Sequence, residues 1–170
     1  ACGRKTELTK PVATPQAQVN AERLLAASDA ANAGQWMSHG RDYSEQRFSP
    51  LTRINTDTAG QLGLAWVADF DTRRGQESTP LMVDGVVYVT TAWSKVYAFD
   101  AKSGKQIWKY DPKVPGEWAV NACCDVVNRG VAAWNGKIYL ATMDARLIAL
   151  DAATGAVVWD VLTIEAGKPY

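Results

Sequence analysis

Three features predict an all-β chain assembled from β-propeller blades. They are a repeat of fifty-one positions without a gap, tight-turn dipeptides at the same phase in each copy, and a tryptophan in register near the end of each copy. Val83-Asp84-Gly85-Val86-Val87-Tyr88-Val89 aligns with Trp134-Asn135-Gly136-Lys137-Ile138-Tyr139-Leu140. Ala98-Phe99-Asp100-Ala101-Lys102-Ser103-Gly104 aligns with Ala149-Leu150-Asp151-Ala152-Ala153-Thr154-Gly155, and Trp108 with Trp159. Asp-Gly and Asn-Gly suit two-residue hairpin turns, whose central positions both require positive φ. Each copy therefore reads as four short antiparallel strands, at 79–83, 86–91, 95–100 and 106–110 in the first. The two blades span about 79–110 and 129–161.

The elements before the repeats are less regular. Residues 1–18 are polar, hold Pro11 and Pro15, and read as a flexible lead-in to the packed part, 19–170. The stretch 19–27 suits a short helix with Asn20 as its N-cap. His39 is the single histidine, and no Cys, Asp or His stands at ligand spacing around it, so a structural or solvent-facing role is expected. Residues 62–70 alternate well enough for a strand, and that strand carries Trp66. Within the repeats, Asp100 and Asp151 are placed to satisfy turn amides while each indole covers the neighbouring blade. The tryptophans are accordingly assigned to packing and not to a substrate box.

Eighteen basic and eighteen acidic residues leave no net charge, which argues against a nucleic acid partner, since phosphate binding needs a basic surface. No apolar run approaches the roughly 18 residues of a transmembrane helix. Seven Trp and thirteen Gly are the compositional oddities, and the repeat accounts for their placing. Cys2, in Ala1-Cys2-Gly3, resembles the end of a bacterial lipoprotein signal; an incidental cysteine is the alternative.

The stretch between the blades, Asn121-Ala122-Cys123-Cys124-Asp125-Val126-Val127-Asn128-Arg129-Gly130, is where chemistry is expected. Adjacent cysteines make a poor staple: a disulfide spans Cα atoms about 4.4–6.8 Å apart, whereas trans neighbours stand roughly 3.8 Å apart. Two reduced, buried thiols are the simpler reading of the pair alone. Asp125, Asn128 and Arg129 around it favour a site instead. In blade geometry the loops 71–78 and 111–128 share one face. Glu77 aligns with Asn128 under the repeat shift, and Arg129 follows at once, so Glu77 joins the candidate ligand-binding set.

These residues resemble the quinoprotein alcohol dehydrogenases, eight-bladed propellers that bind pyrroloquinoline quinone (PQQ), over residues 20–170. The resemblance rests on 98–108 and 149–159, which match the family's tryptophan-docking motif, and above all on Cys123-Cys124-Asp125 with Asn128-Arg129-Gly130. It implies that this chain supplies about two of the eight blades plus a closing strand. It also implies that Cys123 and Cys124 form a vicinal disulfide stacking on PQQ, and that Glu77 and Arg129 bind its polar edge. Tyr110-Asp111-Pro112-Lys113-Val114-Pro115-Gly116-Glu117-Trp118 is similar to the quinohaemoprotein branch, which carries a C-terminal cytochrome c domain.

The reading that follows is the N-terminal segment of a periplasmic, PQQ- and calcium-dependent alcohol dehydrogenase. Such an enzyme oxidises alcohols to aldehydes by hydride transfer to PQQ and passes electrons to a cytochrome c through haem c. The catalytic aspartate and most calcium ligands are expected elsewhere in the family pattern, so neither catalytic nor metal-binding residues are assigned within these 170, and the segment alone is expected to be inactive. Two alternatives differ in class. One is a non-catalytic propeller scaffold of the outer-membrane assembly lipoprotein type, which Cys2 suits and the cysteine pair with Arg129 does not. The other is a PQQ-dependent sugar or polyvinyl alcohol dehydrogenase.

Overall fold

The structure, a computed structural model, describes residues 16–165. Its strands are β1 (Leu81–Val83), β2 (Val86–Thr90), β3 (Val96–Asp100), β4 (Gln106–Tyr110), β5 (Ala132–Trp134), β6 (Lys137–Ala141), β7 (Arg146–Asp151) and β8 (Val157–Leu162). They form two four-stranded antiparallel sheets, ordered β1-β2-β3-β4 and β5-β6-β7-β8, which are the two blades expected from the repeat. The β1–β2 hairpin turns through Asp84 (φ 51°) and Gly85 (φ 80°), and the β5–β6 hairpin through Asn135 (φ 44°) and Gly136 (φ 73°). The repeat extends even to irregularities: the ladder shifts register between Ala98 and Phe99 in one blade and between Ala149 and Leu150 in the other.

Trp108 locks the first blade to the second, and Trp66 docks the preceding segment on the first. Asp100 accepts from the Ser103 amide at 2.7 Å, and Asp151 from the Thr154 amide at 2.9 Å, tightening the β3–β4 and β7–β8 turns. The Trp108 indole lies on the second of these turns, donating to the Ala152 carbonyl at 3.0 Å; Trp66 does the same to Ala101 at 3.1 Å. Between the sheets, Leu81, Tyr88, Ile138, Leu140, Ile148 and Leu150 are all fully buried. Each such side chain stabilises by about 1.5–3 kcal/mol relative to exposure. The Tyr88 hydroxyl stays satisfied by donating to the Ala152 carbonyl at 3.1 Å, and burial pushes its pKa up.

Two expectations upstream of the blades need correcting. Residues 62–70 are extended but form no ladder, so the expected strand is not made; a strand requires a partner, and none is available among the described residues. Trp66 and Phe70 nevertheless pack on blade one, Phe70 with its ring 5.0 Å from Tyr97, while Leu64 stays 84% exposed. The helix is shorter than 19–27, running over α1 (Ala21–Leu25), because Asn20 is extended and caps it by accepting from the Arg23 amide at 2.8 Å. Most of the lead-in at 1–18 lies outside the described residues, as does Cys2. Its end is packed: Ala17 and Val19 are fully buried, and their carbonyls accept from the Gly136 and Asn135 amides at 3.0 and 2.7 Å. Trp36 pairs with Met82 and so covers the open edge of β1. Among the described residues, no helix is long and apolar enough to cross a membrane.

Candidate functional site

Four connections meet on one face of the two blades: 71–80 leading into β1, the β2–β3 turn, the β4–β5 connection and the β6–β7 turn. Ion pairs clamp the outer ends of the two long ones. Asp71 accepts from Lys109 at 2.5 Å, from the Tyr97 hydroxyl at 2.6 Å and from Lys95 at 3.0 Å. These donors, Lys109 first, hold its carboxyl well below the usual carboxylate range. In the second blade Arg146 pairs with Asp144 and Asp160, both at 2.8 Å, and donates to the Pro112 carbonyl at 2.8 Å. One charge is swapped between copies, Lys109 standing where Asp160 stands, while Lys95 and Arg146 are both cations at one phase, and each copy tethers the start of a loop.

Further in, the β4–β5 connection crosses towards Asn128. It carries a 3₁₀ turn (Gly116–Asn121), then the cysteine pair, then Asp125 at φ 65°. Asp125 is held by Arg74 of the other loop at 2.5 Å. The next residue, Val126, is buried, and its carbonyl accepts from the Trp93 amide at 2.8 Å. Trp93 and the buried Ser94 both adopt left-handed backbone, at φ 64° and 56°. Such strain costs roughly 1–3 kcal/mol per residue and tends to persist where a site requires it.

Cys123 and Cys124 are both exposed, which overturns the buried-thiol reading. Their Sγ atoms stand 2.6 Å apart. The Cys123 sulfur beside it pushes the Cys124 thiol pKa up. Arg129 and Glu77 meet as an ion pair at 3.1 Å across the two loops. The Arg129 backbone is fixed, its carbonyl accepting from the Thr79 amide at 3.1 Å. Gly130, at φ 132°, follows because a Cβ there would come within 3.0 Å of the Thr79 carbonyl oxygen.

The four expected site residues thus lie on one face, and Cys123, Cys124 and Arg129 line a single open concavity of about 320 Å³ with Ser94, Asn128 and Thr142. Glu77 reaches that concavity through Arg129. Arg129 is 70% exposed and lines the concavity, so a planar cation faces the opening. A second cavity, of about 350 Å³, lies on the other side of Asn128 and Arg129, and His39 stands in its wall. His39 is exposed and contacts Arg47, as a solvent-facing role required, but its neighbourhood to Arg129 has no signal in the sequence. The Arg74–Asp125 pair was also missed. Its only trace is that the two residues are separated by the repeat length.

The family described as PQQ glucose/ethanol/alcohol dehydrogenase, β-propeller domain, matches residues 36–160. The dehydrogenase subunit of a quinone-type alcohol dehydrogenase from Gluconobacter oxydans is 54% identical over 164 residues, covering 96% of this chain and 22% of that relative. A 1-butanol dehydrogenase (cytochrome c) from Thauera butanivorans is 51% identical, covering 86% of this chain and 21% of the relative. Among solved structures, a quinohemoprotein alcohol dehydrogenase from Pseudomonas putida superposes with a TM-score of 0.86 at 50% identity, covering 91% of this chain and 22% of that one. The chain spans about a fifth of the length of these relatives.

Proposed function

Because the chain belongs to the PQQ-dependent glucose/ethanol/alcohol dehydrogenase β-propeller family, we propose that it is the N-terminal, cofactor-clasping segment of a periplasmic alcohol dehydrogenase that passes electrons to a cytochrome c. The cytochrome and the haem c are proposed by analogy with the butanol dehydrogenase and the quinohemoprotein among its relatives. The observation that supports the cofactor reading is the Glu77–Arg129 ion pair set beside two exposed sulfurs at one open concavity. PQQ is a flat, polyanionic quinone, and a planar cation next to a polarizable sulfur surface suits such a molecule.

When bound, PQQ supplies the acceptor for the two electrons and two protons released as an alcohol becomes an aldehyde, assisted by calcium. The rest concerns this chain's own side chains. Arg129 offers fixed, planar, permanently charged donors to a quinone oxygen, where growing negative charge is stabilised. Glu77 pairs with the guanidinium, whose 70% exposed side chain is open to the ligand from the concavity. Cys123 and Cys124, proposed to be joined as a disulfide in an oxidising compartment, would offer a flat sulfur face to the ring. Among the described residues no group of three His, Cys, Asp or Glu side chains converges to hold a metal ion, so no calcium ligand is assigned here.

Reconstitution of the full-length protein with PQQ and calcium tests this, followed by dye-linked oxidation of a panel of alcohols, sugars and polyvinyl alcohol. PQQ-dependent oxidation of simple alcohols is the expected result. A full-length protein that binds no PQQ would favour a scaffold, and turnover confined to sugars or polyvinyl alcohol would relocate it within the quinoproteins.

A further inference from the structure

Asn128 occupies the repeat position that Glu77 holds in the first blade, but its amide is engaged by the protein itself. Its Nδ2 donates to the Ala141 carbonyl at 3.0 Å and to the Ser94 hydroxyl at 3.3 Å. Its Oδ1 accepts from the Gly130 amide at 3.0 Å, and its own carbonyl accepts from the Thr90 hydroxyl at 3.2 Å. Ser94 belongs to the turn after β2 and Ala141 ends β6, so one side chain ties both blades together immediately before Arg129. The Oδ1–Gly130 bond also closes an Asx turn with Arg129 at its apex. With the Arg129 carbonyl held by Thr79, the backbone of this residue is fixed from both sides.

We propose that Asn128 is a positioning residue, whose cross-blade amide aims the Arg129 guanidinium into the concavity. The inference rests on the reading of Arg129 as a cofactor-binding group. Asparagine is the residue type that the geometry demands. Two donors and one acceptor are used at once, so aspartate would face the Ala141 carbonyl with an oxygen, and serine cannot span both blades. The same repeat position thus serves the site in two ways, by presenting a carboxylate in the first blade and by holding the neighbouring arginine in the second.

The test uses the full-length protein and needs no turnover. PQQ affinity in the presence of calcium and the melting temperature of the cofactor-free protein are measured for wild type, Asn128→Ala, Ser94→Ala, Arg129→Lys and the Asn128→Ala/Arg129→Lys double variant. Losing the amide should weaken PQQ binding about tenfold in the wild-type background, the scale of a typical net hydrogen bond. It should weaken binding less than about twofold where Arg129 is already lysine, since interacting positions are not additive. Ser94→Ala, which removes one acceptor, should move affinity in the same direction by less, and it carries the test if Asn128→Ala does not fold. Equal losses in both backgrounds, or a lowered melting temperature with unchanged PQQ affinity, would overturn the proposal. A wild type that binds no PQQ would overturn the cofactor reading and this inference with it.

Discussion

Replacing Gly155 by alanine places a methyl group where the Trp108 ring already lies. Gly155 sits at φ 72°, and an added Cβ would stand 2.7 Å from both Cδ2 and Cε3 of that indole. Trp108 has little room to retreat: it is 7% exposed, donates to the Ala152 carbonyl and has its ring 5.9 Å from that of Tyr88. Two costs combine, about 1–2 kcal/mol for left-handed backbone at a residue with a Cβ and about 1–3 kcal/mol for overpacking a filled core. Gly155→Ala should therefore destabilise by about 2–5 kcal/mol. Gly85→Ala is the control, because Gly85 has a similar φ of 80° and nothing within 4 Å of its added Cβ. Backbone strain alone then applies, about 1–2 kcal/mol. Urea unfolding of both variants of the full-length protein, followed by tryptophan fluorescence, gives the difference. If Gly155→Ala were no more destabilising than Gly85→Ala, the indole would not be docked as described.

Four further outcomes are expected. Arg129→Lys should lower turnover of the full-length enzyme more than PQQ occupancy, because charge survives while the planar donor geometry is lost; equal losses would point to anchoring alone. Alkylation of the mature protein without reductant, followed by peptide mapping, should leave Cys123 and Cys124 unlabelled, and full labelling of both would refute their pairing. The Asp71 carboxyl is depressed by Lys109, Tyr97 and Lys95, so its contribution to stability is present above the unfolded carboxylate pKa of about 3.9. That contribution is lost as pH falls through the folded value, and acid titration of Asp71→Asn should show a shallower loss of stability below pH ~4 than wild type. Expressed by itself, the 170-residue chain should self-associate and oxidise no alcohol, given the exposure of Val157, Val158, Val161 and Leu162 along β8; a monodisperse monomer in sedimentation would refute the association.

The blades were legible in the sequence because their signals are local. Asp84-Gly85 and Asn135-Gly136 can hardly avoid a tight turn, and the alternation on either side assigns each residue to a face. The docking tryptophans follow from the same logic, since Asp100 and Asp151 close turns within a few residues and the indole recurs at constant phase. The site was legible in part. Cys123, Cys124 and Arg129 lie within one short stretch, and Glu77 could be placed beside them through the repeat.

What the sequence alone determined is the set of elements whose energetics close within about ten residues: hairpins, capped turns, the Asn20 cap, and the phase of the blades. The tertiary structure decided everything that depends on which loops meet. Residues 62–70 have the pattern of a strand, yet a ladder is a property of two segments and the described residues supply only one. Trp36 carries no strand signal and still pairs with Met82, because the edge of β1 is left open. Arg74 meets Asp125, fifty-one positions away, at 2.5 Å only because the fold brings their two loops together. Asn128 reads as one of the polar groups beside the cysteine pair, and only the fold brings Ser94 and Ala141, from two different blades, onto its amide. Ion pairs and side-chain hydrogen bonds act over about 3 Å, and only the closed packing of the two sheets brings groups so distant in sequence within that range.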